Sequence, residues 1–320
     1  MSKSLKAALL WGLAVAVVLG AAMQAVRPSL GKSAGPAAEI AAPAEVRAVL
    51  ERRCYACHSD EPRLAWFDEP APVYWMVAKD VRDARARLNF SELGNKPVAV
   101  QRAELYEAVN QVRLGAMPLP AYLAVHRGAG VTAEELKVLQ DYLAPFAPTP
   151  SSAAAAVPVA GVVAAGPVGE KMPAGESANG VPFEAGFRTW KLLSATDRGD
   201  NHTLRIITGN DVAIKAVEEH QTHPWPDGAA FAKIAYAAVD DGQGNLVPGK
   251  FVQVEFMEKD AAKYARTKGW GYARFRGDAL KPYGEGTHFD EECVGCHEPV
   301  KDHDYVYSLP IARDAVGGGR

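Results

Sequence analysis

Cysteine is scarce in this chain of 320 residues, which contains only four. All four lie in two Cys-x-x-Cys-His motifs, so none is left for a structural disulfide or for a catalytic nucleophile elsewhere. The chain also lacks a large charge excess: its formal net charge is -3, which gives no reason to expect binding to nucleic acid. A glycine-rich nucleotide-binding motif is missing as well. The two cysteine motifs therefore provide the main chemical information.

The two motifs have the same spacing and stand near opposite ends of the chain. They are Cys54-Tyr55-Ala56-Cys57-His58 and Cys293-Val294-Gly295-Cys296-His297. In such a motif the two thiols can add to the vinyl groups of one haem, while the adjoining imidazole binds the iron. A zinc site or a thioredoxin-like redox pair would not need a histidine directly after the second cysteine. The sequence therefore predicts two covalently bound c-type haems, with His58 and His297 as iron ligands.

Residues 1–30 contain no acidic residue, begin with Lys3 and Lys6, and continue through an apolar run from Ala7 to Val26. A run of this length can cross a bilayer as a helix, and lysines at its start favour a cytoplasmic N-terminus. A cleaved signal peptide, processed near Gly20, is the alternative to a retained membrane anchor. Both interpretations predict export to the periplasmic side of the bacterial inner membrane, which agrees with where c-type haem is attached.

A first domain is predicted over residues 44–146, after an Ala-, Gly- and Pro-rich linker at residues 31–43. Apolar residues at helical spacing predict helices over residues 44–52, from residue 73, over about 101–114, and from residue 132. Thr132 and Glu135 have the spacing of a capping box. The domain is therefore expected to be all-helical, with the first haem at the end of its first helix.

The loop Gly115-Ala116-Met117-Pro118 follows the third predicted helix. A thioether is the usual partner of histidine at the iron of electron-carrying c-type cytochromes, so Met117 is the predicted sixth ligand of the first haem. His126 is the main rival ligand. Packing of Met117 against the haem edge or the core is the structural alternative.

Several further short motifs extend along this domain: Trp66-Phe67, Pro72-Val73, Asp80-Val81, Leu88-Asn89-Phe90-Ser91, and Met117-Pro118-Leu119 with Tyr122 and His126. Together with residues 54–59 they resemble a small family of haem-binding domains that hold one c-type haem. The resemblance implies electron transfer rather than substrate chemistry.

Residues 147–180 are dominated by Ala, Pro, Gly, Val and Ser and are predicted to form a flexible linker. In the second domain, residues 181–320, the pattern predicts strands at 203–208, 231–239, 251–257 and 270–276, and helices at about 210–219 and 259–268. The chain is therefore predicted to be multidomain. An all-α, cytochrome c-like domain precedes an α+β domain built mostly from antiparallel sheet.

The second domain contains a further set of motifs, which are Ser194 to His202, Arg205, Pro224 to Gly228 followed by Lys233, Gly249 to Phe256, Gly269-Trp270-Gly271, and Cys293 to Val300 with Asp304 to Tyr307. They closely resemble cytochrome P-460, a family that also includes cytochrome c′-beta. The resemblance implies a β-rich fold, usually a homodimer, with His297 as proximal ligand and an open distal face. An open iron binds small molecules.

The resemblance leaves two functions open. In the cytochrome P-460 branch a lysine is bonded to the porphyrin and the enzyme oxidises hydroxylamine to nitrous oxide or nitric oxide. In the c′-beta branch this crosslink is absent and the protein binds nitric oxide. Lys233 is the candidate crosslinking residue, since strand alternation places it on one face with Phe231 and Ala235, and burial would favour its neutral form. Exposure to solvent is the alternative. Arg205 matches the family's pocket arginine, with a surface salt bridge as the alternative.

Hydroxylamine oxidation also needs an acid or base near the haem, and the resemblance points to the loop before the second motif, which offers Glu285 or His288. A solvated loop position is the alternative for each. The sequence therefore predicts a dihaem cytochrome that oxidises hydroxylamine and passes electrons to a redox partner, or else a carrier, scavenger or sensor of nitric oxide. Plain electron transfer through both haems would need a sixth ligand on the second iron, and no comparable Met-Pro loop follows residue 173.

Overall fold

A computed structural model of the protein describes residues 3–33, 35–146, 177, 180–198, 201–242, 245–284 and 286–308. Contacts within the chain divide it into two compact units, residues 1–96 and residues 97–320. This division falls inside the predicted first domain, residues 44–146.

The first unit is helical. Its helices are α1 (Lys3–Ala25), α2 (Ala44–Arg53), α3 (Tyr55–His58), α4 (Val73–Arg87) and α5 (Phe90–Leu93). Helix α2 buries Val46, Val49 and Leu50. The Tyr55 ring stacks on Phe90 with 5.5 Å between centroids. Within the described ranges, no helix combines the length and apolar character that crossing a membrane requires.

The second unit begins with three further helices, α6 (Val98–Arg113), α7 (Pro120–Val125) and α8 (Ala133–Leu143). The capping box before α8 is confirmed: the Glu135 amide donates to the Thr132 hydroxyl, and the Thr132 amide donates to the Glu135 carboxylate. The prediction of an all-helical N-terminal region is confirmed, because the described residues before 147 contain helices and no strand.

A six-stranded antiparallel sheet follows these helices in the described part of the unit. Each strand pairs with the strand that precedes or follows it in sequence. The strands are β1 (Lys191–Arg198), β2 (Thr203–Gly209), β3 (Ala230–Asp240), β4 (Leu246–Lys259), β5 (Trp270–Arg276) and β6 (Lys281–Pro282). Two helices accompany the sheet, α9 (Asp211–Glu218), which is capped by Asn210, and α10 (Gly286–His297). The predicted α+β fold is confirmed, together with four strands and α9; strands β1 and β6 were not predicted.

The predicted helix over residues 259–268 was wrong. Lys259 is the last residue of β4, and the interval contains only a short 3-10 turn, Ala265–Thr267. The Asp260 carboxylate accepts hydrogen bonds from the amides of Ala262 and Lys263 at 3.1 and 2.8 Å, which favours a turn. The chain then re-enters the sheet, where Trp270 pairs with Lys259. Residues 260–269 therefore connect two paired strands.

The sheet packs a separate apolar cluster on each face. One face buries Phe187, Ile206, Ile234, Val254, Phe256 and Phe275, among others. The other face buries Ile207, Phe231, Trp270 and Tyr272 together with Phe289 and Cys293 of α10. Because side chains alternate along a strand, consecutive residues such as Ile206 and Ile207 contribute to different faces. The second face therefore positions α10 and its cysteine motif on the sheet.

Candidate functional site

The second Cys-x-x-Cys-His motif forms the C-terminal end of α10. Residues three apart are neighbours on the surface of a helix, which places Cys293 next to Cys296. Cys293 is buried, Cys296 is exposed, and neither forms a disulfide. Two adjacent thiols next to an imidazole fit the attachment of one haem.

The His297 ring is held by the backbone of a residue that follows in sequence. Its Nδ1 lies 2.6 Å from the carbonyl oxygen of Tyr305. Because a carbonyl only accepts hydrogen bonds, Nδ1 carries the proton and Nε2 is the nitrogen that can bind a metal. Burial lowers the pKa of His297 to about 4, and the positive charges of Lys233 and Arg274 act in the same direction. The imidazole is therefore neutral, as an iron ligand must be.

Lys233 lies in the middle of β3, opposite Ile207 of β2 and opposite Glu255 of β4. Its Nζ forms an ion pair with the Glu255 carboxylate. Burial and, to a smaller extent, the neighbouring charges of Arg205 and Arg274 lower the pKa of Lys233 to about 7, while Cys296 acts in the opposite direction. One third of the side chain, 33%, remains exposed.

Glu255 is the centre of a polar network that the sequence did not reveal. Its Oε1 accepts hydrogen bonds from Gln253 Nε2 at 2.8 Å and from the Tyr283 hydroxyl at 3.2 Å. Arg274, opposite Glu255 in β5, approaches the same oxygen with its Nε at 3.6 Å. The carboxylate therefore lies between the Lys233 amine and the Arg274 guanidinium.

Arg274 also connects this network to α10. Its Nη1 donates to Glu292 Oε1 at 3.0 Å, and the Glu292 side chain is 65% exposed. Sequence reasoning missed Glu292 although it directly precedes Cys293. Two sequence signals could have identified this network. Glu292 is adjacent to Cys293, and strand alternation places Gln253 and Glu255 on one face of β4.

The other predicted site residues have different outcomes. Arg205 lies in β2, opposite Ala235, and its charge contributes to the lowered pKa of Lys233. Glu285 lies outside the described residues. For His288 only the backbone position within α10 is described. The acid or base roles of Glu285 and His288 therefore stay predictions.

The first motif lies at the junction of α2 and α3, where Cys54 caps the end of α2. His58 Nδ1 lies 2.9 Å from the carbonyl oxygen of Leu88, the residue that follows α4. The proton is again on Nδ1, and Nε2 can bind a metal. Burial lowers the pKa of His58, and burial raises the pKa of Cys57 to about 11. These residues fit a second haem.

Met117 lies in the second unit, directly after a turn that closes α6. The amides of Ala116 and Met117 both donate to the Gln111 carbonyl, at 2.9 and 3.1 Å. His126, the rival ligand, stacks on Tyr122 with 3.7 Å between ring centroids. Which of them binds iron stays a prediction of the sequence.

A helical region and a β-rich region, each with a histidine fixed through Nδ1 beside two thiols, define a c-type haem cytochrome. Comparison with protein-family models agrees with this class. Residues 184–308 match the model for cytochrome P-460, and residues 15–145 match the model for a haem-binding domain. The two matches confirm the arrangement that the motifs predicted, with a cytochrome P-460 region at the C-terminal end and a haem-binding domain at the N-terminal end. No curated protein matches the chain.

Proposed function

We propose that the protein is an exported dihaem c-type cytochrome that oxidises hydroxylamine at the haem held by Cys293, Cys296 and His297. The observation that carries the proposal is the position of Lys233, which lies on the same face of β3 as Phe231, the face that packs against Cys293 of α10. Its pKa of about 7 and its electrostatic coupling to Cys296 and His297 support the proposal. A neutral amine beside the porphyrin is what the crosslink of the cytochrome P-460 branch requires. Lys233 is therefore the residue proposed to be bonded to the haem.

A haem held by Cys293, Cys296 and His297 would supply an iron able to accept electrons from hydroxylamine. The chain's own residues hold charge and protons around it. Arg205 and Arg274 favour neutral or anionic species at this face of the sheet, because both guanidinium groups stay charged at any physiological pH. Glu292 offers an exposed carboxylate, one residue from Cys293, that can pass protons to solvent. Glu285 and His288 remain the alternative proton acceptors.

The fused haem-binding domain supports an oxidase over a simple binder. Each turnover of hydroxylamine releases electrons, and these need an acceptor within reach. The haem at Cys54, Cys57 and His58, with Met117 as proposed sixth ligand, would receive them and pass them to a soluble or membrane-bound redox partner. The proposal includes homodimer formation through the C-terminal domain and a position on the periplasmic side of the inner membrane. Residues 1–30 would then act as membrane anchor or as cleaved signal peptide.

Nitric oxide binding without turnover is the second candidate, and the ion pair between Lys233 and Glu255 favours it. A protonated amine that is paired with a carboxylate is not a nucleophile. If this pair persists in the haem-loaded protein, Lys233 stays unbonded and the iron acts only as a site for nitric oxide.

Peptide mass spectrometry of haem-loaded protein, produced in a host competent in c-type haem attachment, separates the two functions. Hydroxylamine oxidation predicts two haems and a peptide that joins the Cys293–His297 segment to the Lys233 segment. It also predicts that added hydroxylamine reduces the first haem. Two haems with an unmodified Lys233 and no reduction would overturn the proposal in favour of nitric oxide binding.

A further inference from the structure

A second lysine–carboxylate pair lies close to His297 and has no part in the function proposed above. Lys259, at the end of β4, places its Nζ 2.8 Å from both carboxylate oxygens of Asp304. The two side chains are only 7% and 13% exposed. The Lys259 ammonium also lies 4.8 Å from the centre of the Trp270 ring, which stabilises a cation. Both charges are therefore paired inside the protein.

Asp304 is fixed by other parts of the fold as well. Its Oδ2 accepts a hydrogen bond from the Trp225 amide at 2.9 Å, and its backbone carbonyl accepts one from Trp270 Nε1 at 2.8 Å. Strand β4, strand β5 and the segment before β3 therefore all hold this one residue. An aspartate used only to neutralise Lys259 would not need these additional contacts.

The backbone at Asp304 turns in a way that few residues adopt. Asp304 has φ of 50° and Tyr305 has φ of 64°, both in the left-handed region. Aspartate is enriched in that region, whereas a bulky residue such as tyrosine is uncommon there. Two successive residues in this conformation persist only when the surrounding structure holds them. The contacts to Asp304 provide that constraint.

This turn determines where the Tyr305 carbonyl points. That carbonyl is the acceptor for His297 Nδ1 at 2.6 Å. A short chain of contacts thus runs from Lys259 through Asp304 and Tyr305 to the ring that binds iron. In metal sites, such outer partners orient the ligand and adjust its basicity.

We propose that Lys259 and Asp304 are positioning residues for the proximal ligand. They fix the Tyr305 carbonyl, and through it they set the orientation of the His297 ring and the strength of its Nδ1 hydrogen bond. A stronger hydrogen bond makes the imidazole a better donor to iron, which lowers the reduction potential. The proposal needs only a haem bound at His297. It therefore stands or falls separately from hydroxylamine oxidation and from the crosslink.

Stability alone cannot test this role, because any buried ion pair destabilises a protein when one partner is removed. The test therefore measures the iron–histidine stretching band of the ferrous protein by resonance Raman spectroscopy and the reduction potentials of both haems. The haem at His58 is an internal reference, since the Nδ1 partner of His58 is Leu88.

Four variants complete the experiment. Asp304→Asn keeps the size and tolerates the left-handed backbone but removes the charge. Lys259→Met removes the cation, and Lys259→Arg restores it. Glu219→Gln is the matched control, because it removes one charge from the exposed pair of Lys215 on α9 and Glu219 directly after it.

Asp304→Asn and Lys259→Met are expected to lower the stretching frequency and to raise the potential of the second haem. Loss of an outer partner changes metal affinity by at least about tenfold. If the affinities of ferric and ferrous iron for the ligand change by this factor relative to each other, the reduction potential shifts by about 59 mV for one electron. Lys259→Arg should return both values towards those of the wild type, and Glu219→Gln should change neither. The first haem should keep its potential in every variant.

Haem-loaded Asp304→Asn and Lys259→Met proteins with the wild-type band and potentials would overturn the proposal. If a single variant does not accumulate with haem, the double variant Lys259→Met/Asp304→Asn contains no unpaired buried charge and replaces it. The double variant should still show the lowered frequency, and a wild-type frequency there would also overturn the proposal.

Discussion

The two Cys-x-x-Cys-His motifs fix their histidines by the same contact but lie in different surroundings. His58 donates its Nδ1 proton to the carbonyl of Leu88 at 2.9 Å, at the end of helix α4. His297 donates to the carbonyl of Tyr305 at 2.6 Å, in a left-handed turn eight residues further along the chain. A helix end provides one acceptor and a turn held by a buried ion pair provides the other. Both motifs thus fix the imidazole through Nδ1, while different structural elements hold the carbonyl that accepts this hydrogen bond.

The difference extends to the charges that surround each motif. The second motif faces a strand surface with Lys233, Glu255 and Arg274 in one row across β3, β4 and β5. Charged side chains arranged in this way can donate or accept protons and can orient a small polar molecule. The first motif also has charges beside it, since Asp80, Asp68 and Arg85 act on Cys57, but these lie on helix α4 and in the segment before it. The row of charges across three strands therefore supports the proposal that the second motif is the site of the chemistry.

Removal of both cysteines of one motif should have the largest effect and should be selective. The double substitution Cys293→Ala/Cys296→Ala is expected to lower the intact mass by one haem and to abolish hydroxylamine-dependent reduction. The matched change Cys54→Ala/Cys57→Ala should remove the other haem and leave small-ligand binding at the second iron. A loss of both haems from either variant would show that the two regions do not mature independently.

Lys233→Arg tests whether the strand surface performs chemistry. The substitution keeps the positive charge but removes the amine, so the crosslinked peptide should disappear. Hydroxylamine oxidation should fall by about a hundredfold, the scale of losing one group that acts directly in a reaction. Nitric oxide binding should persist. Lys250→Arg, an exposed position on β4, is the control that should keep full activity; equal rates in both variants would argue against a role for Lys233.

The two irons should also differ in their access to ligands. If Met117 is the sixth ligand, as proposed, the first iron is closed and the ferrous wild-type protein should bind one nitric oxide per chain. Met117→Ala removes the thioether and should open the first iron to a second nitric oxide molecule. Titration followed by absorption spectroscopy counts the bound ligands. An unchanged stoichiometry of one would indicate another ligand at the first iron, with His126 as the next candidate.

Sequence predicted those parts of both regions that depend on residues close together in the chain. The cysteine motifs, the capping box of Thr132 and Glu135, and the helix capped by Asn210 all have local spacing signals. Four of the six described strands were predicted from alternation and composition. The short strand β6 and helix α10 were not, because each depends on packing against the sheet.

The residues that support the two histidines could not be predicted in this way. Leu88 and Tyr305 act through backbone carbonyls, and a backbone atom has no sequence signature. Glu255 faces Lys233 only because β3 and β4 pair in one particular register. A shift of that register by one residue would turn Glu255 to the other face of the sheet. Such partnerships arise from tertiary structure and not from local sequence.

The protonation of Lys233 gives a smaller effect that depends on pH. In protein that has not formed the crosslink, amine-specific labelling of Lys233 should rise with pH and reach half its maximum near pH 7. Labelling should rise with pH because the neutral amine is the reactive form. The midpoint should lie near 7 because burial lowers the pKa of Lys233 to about 7. Quantitative peptide mass spectrometry measures the labelling at each pH, and a midpoint near 10, the ordinary value for a lysine, would contradict the proposed environment of Lys233.

The smallest expected effect concerns a single hydrogen bond beside the second motif. The Tyr307 hydroxyl donates to the Cys296 carbonyl at 2.8 Å, and its ring lies 5.2 Å from that of His297. Tyr307→Phe keeps the ring but removes the donor, which should lower the free energy of unfolding by about 1 kcal/mol. Because the His297 acceptor is Tyr305 and not Tyr307, the iron–histidine band should stay at its wild-type frequency. Denaturant unfolding measures whether the contact stabilises the protein, and resonance Raman spectroscopy of the same sample measures whether it positions the ligand. A shifted iron–histidine band would show that Tyr307 also positions the ligand.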